Sequence, residues 1–199
     1  MWPPCLHPYL TPEIETALLT YESLLRETNT RINLVSRKDI EAVREHHILP
    51  SLLLLCLCPI EQGARVLDLG TGGGLPGIPL ALARPDLRFL LVDSIRKKTE
   101  AVQRMIAALG LTERVQVQWT RAENLPERFP YIVGRAVAPL PRFLTWAKRL
   151  LLPGGWVYYY TGEPLPPIPP RWKATYHPFR SVTDHPYLHT KGILSLQYA

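Results

Sequence analysis

The chain has 199 residues, with 23 Lys and Arg against 17 Asp and Glu, a formal charge of +6 and 46% hydrophobic residues. That length is one domain's worth of chain, and the near-average apolar share excludes a disordered tail and a fibre. A mild positive surplus suits an acidic partner but does not name one.

Met1-Trp2-Pro3-Pro4 has no basic segment followed by an apolar run, so no secretion signal is expected. From Thr11 to Asn29, Ile14, Leu18, Tyr21, Leu24 and Leu25 recur at helical spacing, and Thr11-Pro12 supplies a cap followed by proline at the first helical position. A second helix is expected to open at Arg37-Lys38-Asp39 and to carry Ile40, Val43, His47 and Ile48. These two make a helical cap over residues 1–62, part of the same compact domain as the core over residues 63–199. The longest apolar stretch, Ile48 to Ile60, is broken by Pro50 and Pro59 and falls short of the roughly 20 residues a membrane helix needs. Cys5, Cys56 and Cys58 are an odd count without a paired spacing, which fits a reducing compartment and a cytoplasmic chain. His46, His47, Cys56 and Cys58 match no recognised ligand spacing, so no metal is expected.

After Gln62-Gly63 short apolar strands alternate with helices. Arg65 to Leu69 reads as a buried strand running into glycines, Ile78 to Ala83 as a short helix, Phe89 to Asp93 as a second strand and Lys97 to Leu109 as a second helix. Val115 to Trp119 alternates, placing Val115, Val117 and Trp119 on one side; Ile132-Val133, Phe143 to Leu152 and Trp156 to Tyr160 repeat strand, helix, strand. Pro164 to Pro170, with five of the 21 prolines, predicts a stiff extended connector, and Gly192 to Tyr198 an edge-adjacent antiparallel strand. The pattern predicts an α/β, Rossmann-like fold: a mostly parallel seven-stranded sheet with helices on both faces.

The strongest chemical signal is Asp68-Leu69-Gly70-Thr71-Gly72-Gly73-Gly74-Leu75-Pro76-Gly77, a glycine turn at the carboxyl end of a strand, where such sheets bind cofactors. Gly72, Gly74 and Gly77 fit the dinucleotide fingerprint, so two cofactors compete. A pyrophosphate has little use for Asp68 so near its anion, and Pro76 and Pro79 remove amide donors from the helix start. An ammonium and a sulfonium do have use for a carboxylate, which favours S-adenosyl-L-methionine. Asp93, ending the second strand, suits ribose hydroxyls with either cofactor. Ala122 and Glu123, after the third strand, are placed to read the adenine edge; the same stretch also reads as a helix cap.

Several segments together resemble a known family, the bacterial small-subunit ribosomal RNA guanine-N7 methyltransferases, also called glucose-inhibited division protein B. They are Arg31 to Ser36, His46 to Leu52, Val66 to Leu80 with its Gly-Leu-Pro-Gly, Leu91 to Lys98, Arg121-Ala122-Glu123 and Arg135-Ala136-Val137-Ala138-Pro139-Leu140. The resemblance implies a class I methyltransferase fold, S-adenosyl-L-methionine as cofactor, and a guanine of 16S ribosomal RNA, in the small subunit or an assembly intermediate, as substrate. It implies cofactor contacts at Gly70, Leu75, Asp93, Ala122, Glu123 and Arg135, to which the glycine turn adds Gly72 and Gly74. It also implies a role for His47. Two positions depart from the family: Pro50 stands where many members have an acidic residue, and Thr161 where a lysine is usual, which removes a positive charge from the RNA face.

The methyl acceptor narrows by absence. No cysteine follows Cys58 to serve as a pyrimidine-C5 nucleophile, and Arg135-Ala136-Val137-Ala138 stands where exocyclic-amine enzymes carry an Asn/Asp-Pro-Pro-aromatic tetrapeptide. Guanine N7 offers a lone pair and no proton, so no acid or base is required and positioning carries the reaction. Arg135, after the fourth strand, is the residue expected to act in the active site, on the cofactor or on guanine O6. Arg37, Lys38, Arg96, Lys97 and Lys98, in two basic segments, are expected to hold RNA phosphates together with His47. No membrane and no obligate protein partner is expected. A small-molecule methyltransferase and a non-catalytic cofactor- or RNA-binding relative are the competing classes; the first predicts activity without RNA, the second cofactor binding without turnover.

Overall fold

A computed structural model describes residues 2–199. Helix α1 (Pro12–Asn29) starts where the Thr11 side chain accepts a hydrogen bond from the Ile14 amide at 3.4 Å, with Pro12 in the first turn. Its buried stripe of Leu18, Tyr21 and Leu25 follows the three-and-four spacing of the sequence. The helix expected from Arg37 is broken instead. A 3₁₀ turn at Ile40–Ala42 and a π-helical turn at Arg44–Ile48 precede α2 (Leu49–Leu57). Pro50 explains the break: it has no amide to give the carbonyl four residues back, and its ring crowds that carbonyl, so the preceding turn widens.

Strands β1 (Arg65–Leu69), β2 (Arg88–Asp93), β3 (Val115–Trp119), β4 (Phe129–Arg135), β5 (Leu151–Gly162), β6 (Trp172–Pro178) and β7 (Lys191–Tyr198) form one sheet in the order β3-β2-β1-β4-β5-β7-β6. The first five are parallel, and β7 lies antiparallel between β5 and β6. Helices α3 (Gly77–Ala83), α4 (Arg96–Ala108) and α5 (Leu140–Leu150) make the crossovers. The chain reverses direction across the sheet between β1 and β4, which opens a crevice at the carboxyl ends of those strands.

One apolar core gathers Leu6, Tyr21 and Leu25 with Leu52, Leu53, Ile78, Leu80 and Val133, so the N-terminal helices and one sheet face share a single packing layer. The other face packs Phe143, Leu144 and Ala147 of α5 against Leu67, Ile132 and Val157. Among the described residues no helix is long and apolar enough to cross a membrane.

One of the seven strands has no segment assigned to it in the sequence, and two expectations need correcting. Strand β6 is not announced by the sequence, because as an edge strand with Lys173, Ala174 and Thr175 exposed it has no apolar alternation. Trp119 does not join Val115 in the core: it is 57% exposed, its indole donating to the Ser94 carbonyl at 3.1 Å. Cys5 and Cys56, read from the sequence as unpaired thiols suited to a reducing compartment, are joined in a disulfide with their Cα atoms 5.7 Å apart, so the cysteines do not argue for that compartment. The N-terminal 3₁₀ turn (Pro4–Tyr9) packs on α2, and that tertiary contact brings together two cysteines 51 positions apart in sequence.

Candidate active site

A cleft of about 650 Å³ opens at the carboxyl ends of β1, β2 and β4. One wall is the turn after β1. The amides of Gly70 and Thr71 both donate to the Val92 carbonyl, at 2.8 and 2.9 Å, tying the turn to β2. Gly70 has φ of +77°, and the Val137 side chain fills the space a Cβ would need.

Asp68 is wholly buried and does not line the cleft, contrary to the direct ammonium contact its position suggested. One carboxylate oxygen accepts from the Thr71 hydroxyl at 2.6 Å and the Gly77 amide at 2.8 Å, while the other has no partner among the described residues. The side chain braces the turn from beneath. Burial pushes its pKa up to about 6, against the pull of those two hydrogen bonds and of Arg135. The same contact makes Gly77 obligatory, since a Cβ there would lie 2.7 Å from the Asp68 carboxylate.

Asp93 stands where expected, at the end of β2 and in the cleft. Its two oxygens accept from the Gly72 amide at 3.0 Å and the Ile95 amide at 2.9 Å, so one carboxylate links the glycine turn to the start of α4. Gly70, Gly72 and Leu75 line the cleft; Gly74 does not, and Gly73 takes its place, with its carbonyl held by the buried Tyr21 hydroxyl at 2.9 Å. At the far end lie Ala122 and Glu123. The Glu123 carboxylate accepts from the Trp146 indole at 2.9 Å and the Ala122 carbonyl from Arg149. Trp146 and Arg142 on α5 also line the cleft, and no motif of the sequence pointed to them.

The other wall is Arg135 at the end of β4. Its guanidinium donates to His47 Nδ1 at 2.7 Å and to the His47 carbonyl at 3.4 Å. His47 itself lines the cleft with its ring committed to the arginine, and burial together with the Arg135 charge pushes its pKa down to about 3. Behind it stands Asp39, 3.8 Å from His47 Nε2 and 3.0 Å from His46 Nδ1. His46 stacks on Tyr187 with ring centroids 3.4 Å apart.

The basic residues divide. Lys98 lines the cleft, and exposed Arg96 and Lys97 adjoin it on the first turn of α4, Arg96 paired with Glu100 at 2.8 Å and lying over the Trp119 ring. Arg37 lines a different, shallow depression with Arg26 and Glu41, and exposed Lys38 does not reach the cleft. Of the two departures, Pro50 is buried in α2 and Thr161 pairs with Gly192 in the sheet; neither lines the cleft.

Residues 14–165 match the family model described as GidB, rRNA small subunit methyltransferase G. The chain belongs to this family. The ribosomal RNA small subunit methyltransferase G of Bacteroides fragilis is 36% identical over 195 residues, covering 94% of each chain. That of Flavobacterium psychrophilum is 46% identical over 127 residues, which span 64% of this chain and 60% of the relative. Among solved structures, TrmN from Thermus thermophilus superposes with a TM-score of 0.59 at 22% identity, over 76% of this chain and 49% of the other, which shows that the two share the Rossmann-like fold. Every cleft-lining residue of this rRNA small subunit methyltransferase G family member, from Leu34 to Trp146, falls inside the matched span.

Proposed function

We propose that the chain transfers a methyl group from S-adenosyl-L-methionine to N7 of a guanine in 16S ribosomal RNA, acting on the small ribosomal subunit or an assembly intermediate in the cytoplasm. The observation that carries this reading is that the family match encloses the whole cleft. The cavity suits the cofactor: about 650 Å³ lies within the usual range for small-molecule sites, with carboxylate, backbone and guanidinium groups converging on it. The cofactor supplies an electrophilic methyl group on a sulfonium.

The residues hold and orient. Asp93 faces the cleft with two acceptor oxygens, suited to ribose hydroxyls, and the Gly70–Gly73 backbone lies close enough to pack on a ligand with no side chain between. Ala122 and Glu123 bound the end where a base would sit. Guanine N7 attacks with a lone pair and loses no proton, so the cleft needs no general base, and what it contributes is alignment and exclusion of water. Arg135 supplies a fixed positive charge at the reacting end. The N-terminal helices and the methyltransferase core work as one domain, and Arg96, Lys97 and Lys98 lie along the path of the RNA backbone.

The test is transfer of tritiated methyl to small subunits lacking the modification, followed by mapping of the labelled nucleotide. Label at a single guanine, resistant to exchange for a free nucleoside acceptor, is expected. Label at an exocyclic amine, or only on a small metabolite, would overturn the reading.

A further inference from the structure

Arg135 is an arginine with no carboxylate paired to it among the described residues. Burial holds its pKa below the usual value. Asp68 is near enough to feel its field, but that carboxylate is turned into the glycine turn. What grips the guanidinium is neutral: a backbone carbonyl and an imidazole nitrogen, both of His47. A half-buried charge gripped only by neutral groups is less well stabilised than one paired with a carboxylate, which a carboxylate in place of the imidazole would supply.

The hydrogen bond fixes the ring's proton. Because Arg135 donates to Nδ1, that nitrogen carries the lone pair and the proton sits on Nε2, which has no hydrogen-bond partner among the described residues and faces Asp39 at 3.8 Å. Asp39 also accepts from His46, and the His47 carbonyl is held from a second side by the Ser51 hydroxyl at 2.6 Å. The π-helical turn is what brings two consecutive histidines to one carboxylate here.

We propose that His47 is the positioning residue of Arg135: a neutral acceptor, its tautomer set by Asp39, that holds the guanidinium toward the cleft, where the function proposed above has it meet an anionic oxygen of a ligand. The oxygen belongs to a carboxylate or a phosphate: the amino-acid end of the cofactor supplies the first, the RNA backbone the second. Which ligands reach the cleft rests on the function proposed above; the way Arg135 is held does not.

Four measurements test it. Nitrogen-15 NMR of the His47 ring should report a proton on Nε2 and none on Nδ1; the opposite tautomer overturns the proposal whatever the ligand is. Calorimetry with S-adenosylhomocysteine and with 5′-methylthioadenosine, which lacks the amino-acid end, separates the two sources when combined with KM for small subunits. His47→Gln keeps a neutral acceptor and should bind within about threefold of wild type, whereas His47→Glu neutralises Arg135 and should lose at least about tenfold on one ligand. Loss on S-adenosylhomocysteine but not on 5′-methylthioadenosine assigns the carboxylate; loss only in subunit KM assigns the phosphate. Equal losses in the Gln and Glu variants, or none in either, overturn the proposal. Should His47→Glu fail to fold, Arg135→Met decides by the same pair of ligands and the same KM, and unchanged values in all three overturn it. Asp39→Asn, at a partly exposed residue, should weaken the same ligand by about two- to fivefold.

Discussion

The two walls of the cleft are built in opposite ways. The glycine wall is one run of chain, residues 68–77, plus Asp93, held almost wholly by backbone amides: Gly70 and Thr71 to Val92, Gly72 to Asp93, Gly77 to Asp68. The arginine wall joins residues 88 apart in sequence, Arg135 and His47, and is fastened by side chains, with Asp39, His46 and Tyr187 behind. A backbone-built wall fails when a side chain intrudes. A side-chain-built wall fails when its chemistry changes.

The sharpest way to break the first wall is Gly77→Val, which forces branched carbon against the Asp68 carboxylate and the Leu91 side chain. Destabilisation of about 3 kcal/mol or more and loss of measurable S-adenosylhomocysteine binding are expected in thermal unfolding and calorimetry. On the second wall, Arg135→Ala should leave the protein folded, at a cost of about 1 to 3 kcal/mol for the His47 Nδ1 acceptor it strands, while methyl transfer falls about 100-fold or more. Turnover at the wild-type rate would remove Arg135 from the active site.

The walls should also titrate in opposite senses. Asp68 is raised to about 6 by burial, so the folded state keeps a proton that the unfolded chain releases, and this contribution to stability falls as pH rises from about 4 to about 6. His47 is lowered to about 3, so the unfolded chain takes up a proton that the folded state refuses, and its contribution is lost as pH falls from about 6.5 towards 3. Each slope is at most about 1.4 kcal/mol per pH unit. Urea unfolding at pH 4, 5 and 6 should therefore show Asp68→Asn losing stability on acidification faster than wild type, and His47→Gln losing it more slowly. Slopes that shift together in the two variants would refute the opposition.

The smallest expected effect concerns the rim. Lys98→Ala, at the cleft, should reduce the salt dependence of small-subunit binding by about one counterion, a slope change of roughly 0.7 to 0.9, and Lys38→Ala by less. Filter-binding titrations at several salt concentrations measure both. Equal slopes would place the two basic segments on the same RNA path.

Much of the glycine wall was legible in the residues. A strand, a run of glycines, an acid before it and another ending the next strand follow from local steric demands, and the structure keeps Gly70, Gly72, Leu75 and Asp93 at the cleft. Asp68 was legible as important but not in its role: the sequence shows a carboxylate two residues before Gly70, and only packing shows it facing inward beneath the turn. The arginine wall was half legible. Arg135 could be placed at a strand end, but nothing in the spacing of His46-His47 shows that one ring would be turned on Arg135 and the other on Tyr187. The joining of Cys5 to Cys56 was equally hidden, since no local pattern encodes contacts across 51 residues.

By itself, then, the sequence determined whatever repeats at short range: the strand and helix alternation, the glycine turn, the acid at the end of β2 and the positive balance of charge. Tertiary structure alone decided which charges pair with a carboxylate, which carboxylates face ligand or backbone, and which basic residues reach the cleft. The physical reason is range. Steric and hydrogen-bond demands on the backbone act within a few residues and leave their mark in order, while the burial and pairing of a side chain depend on partners that only the folded sheet brings within about 4 Å of it.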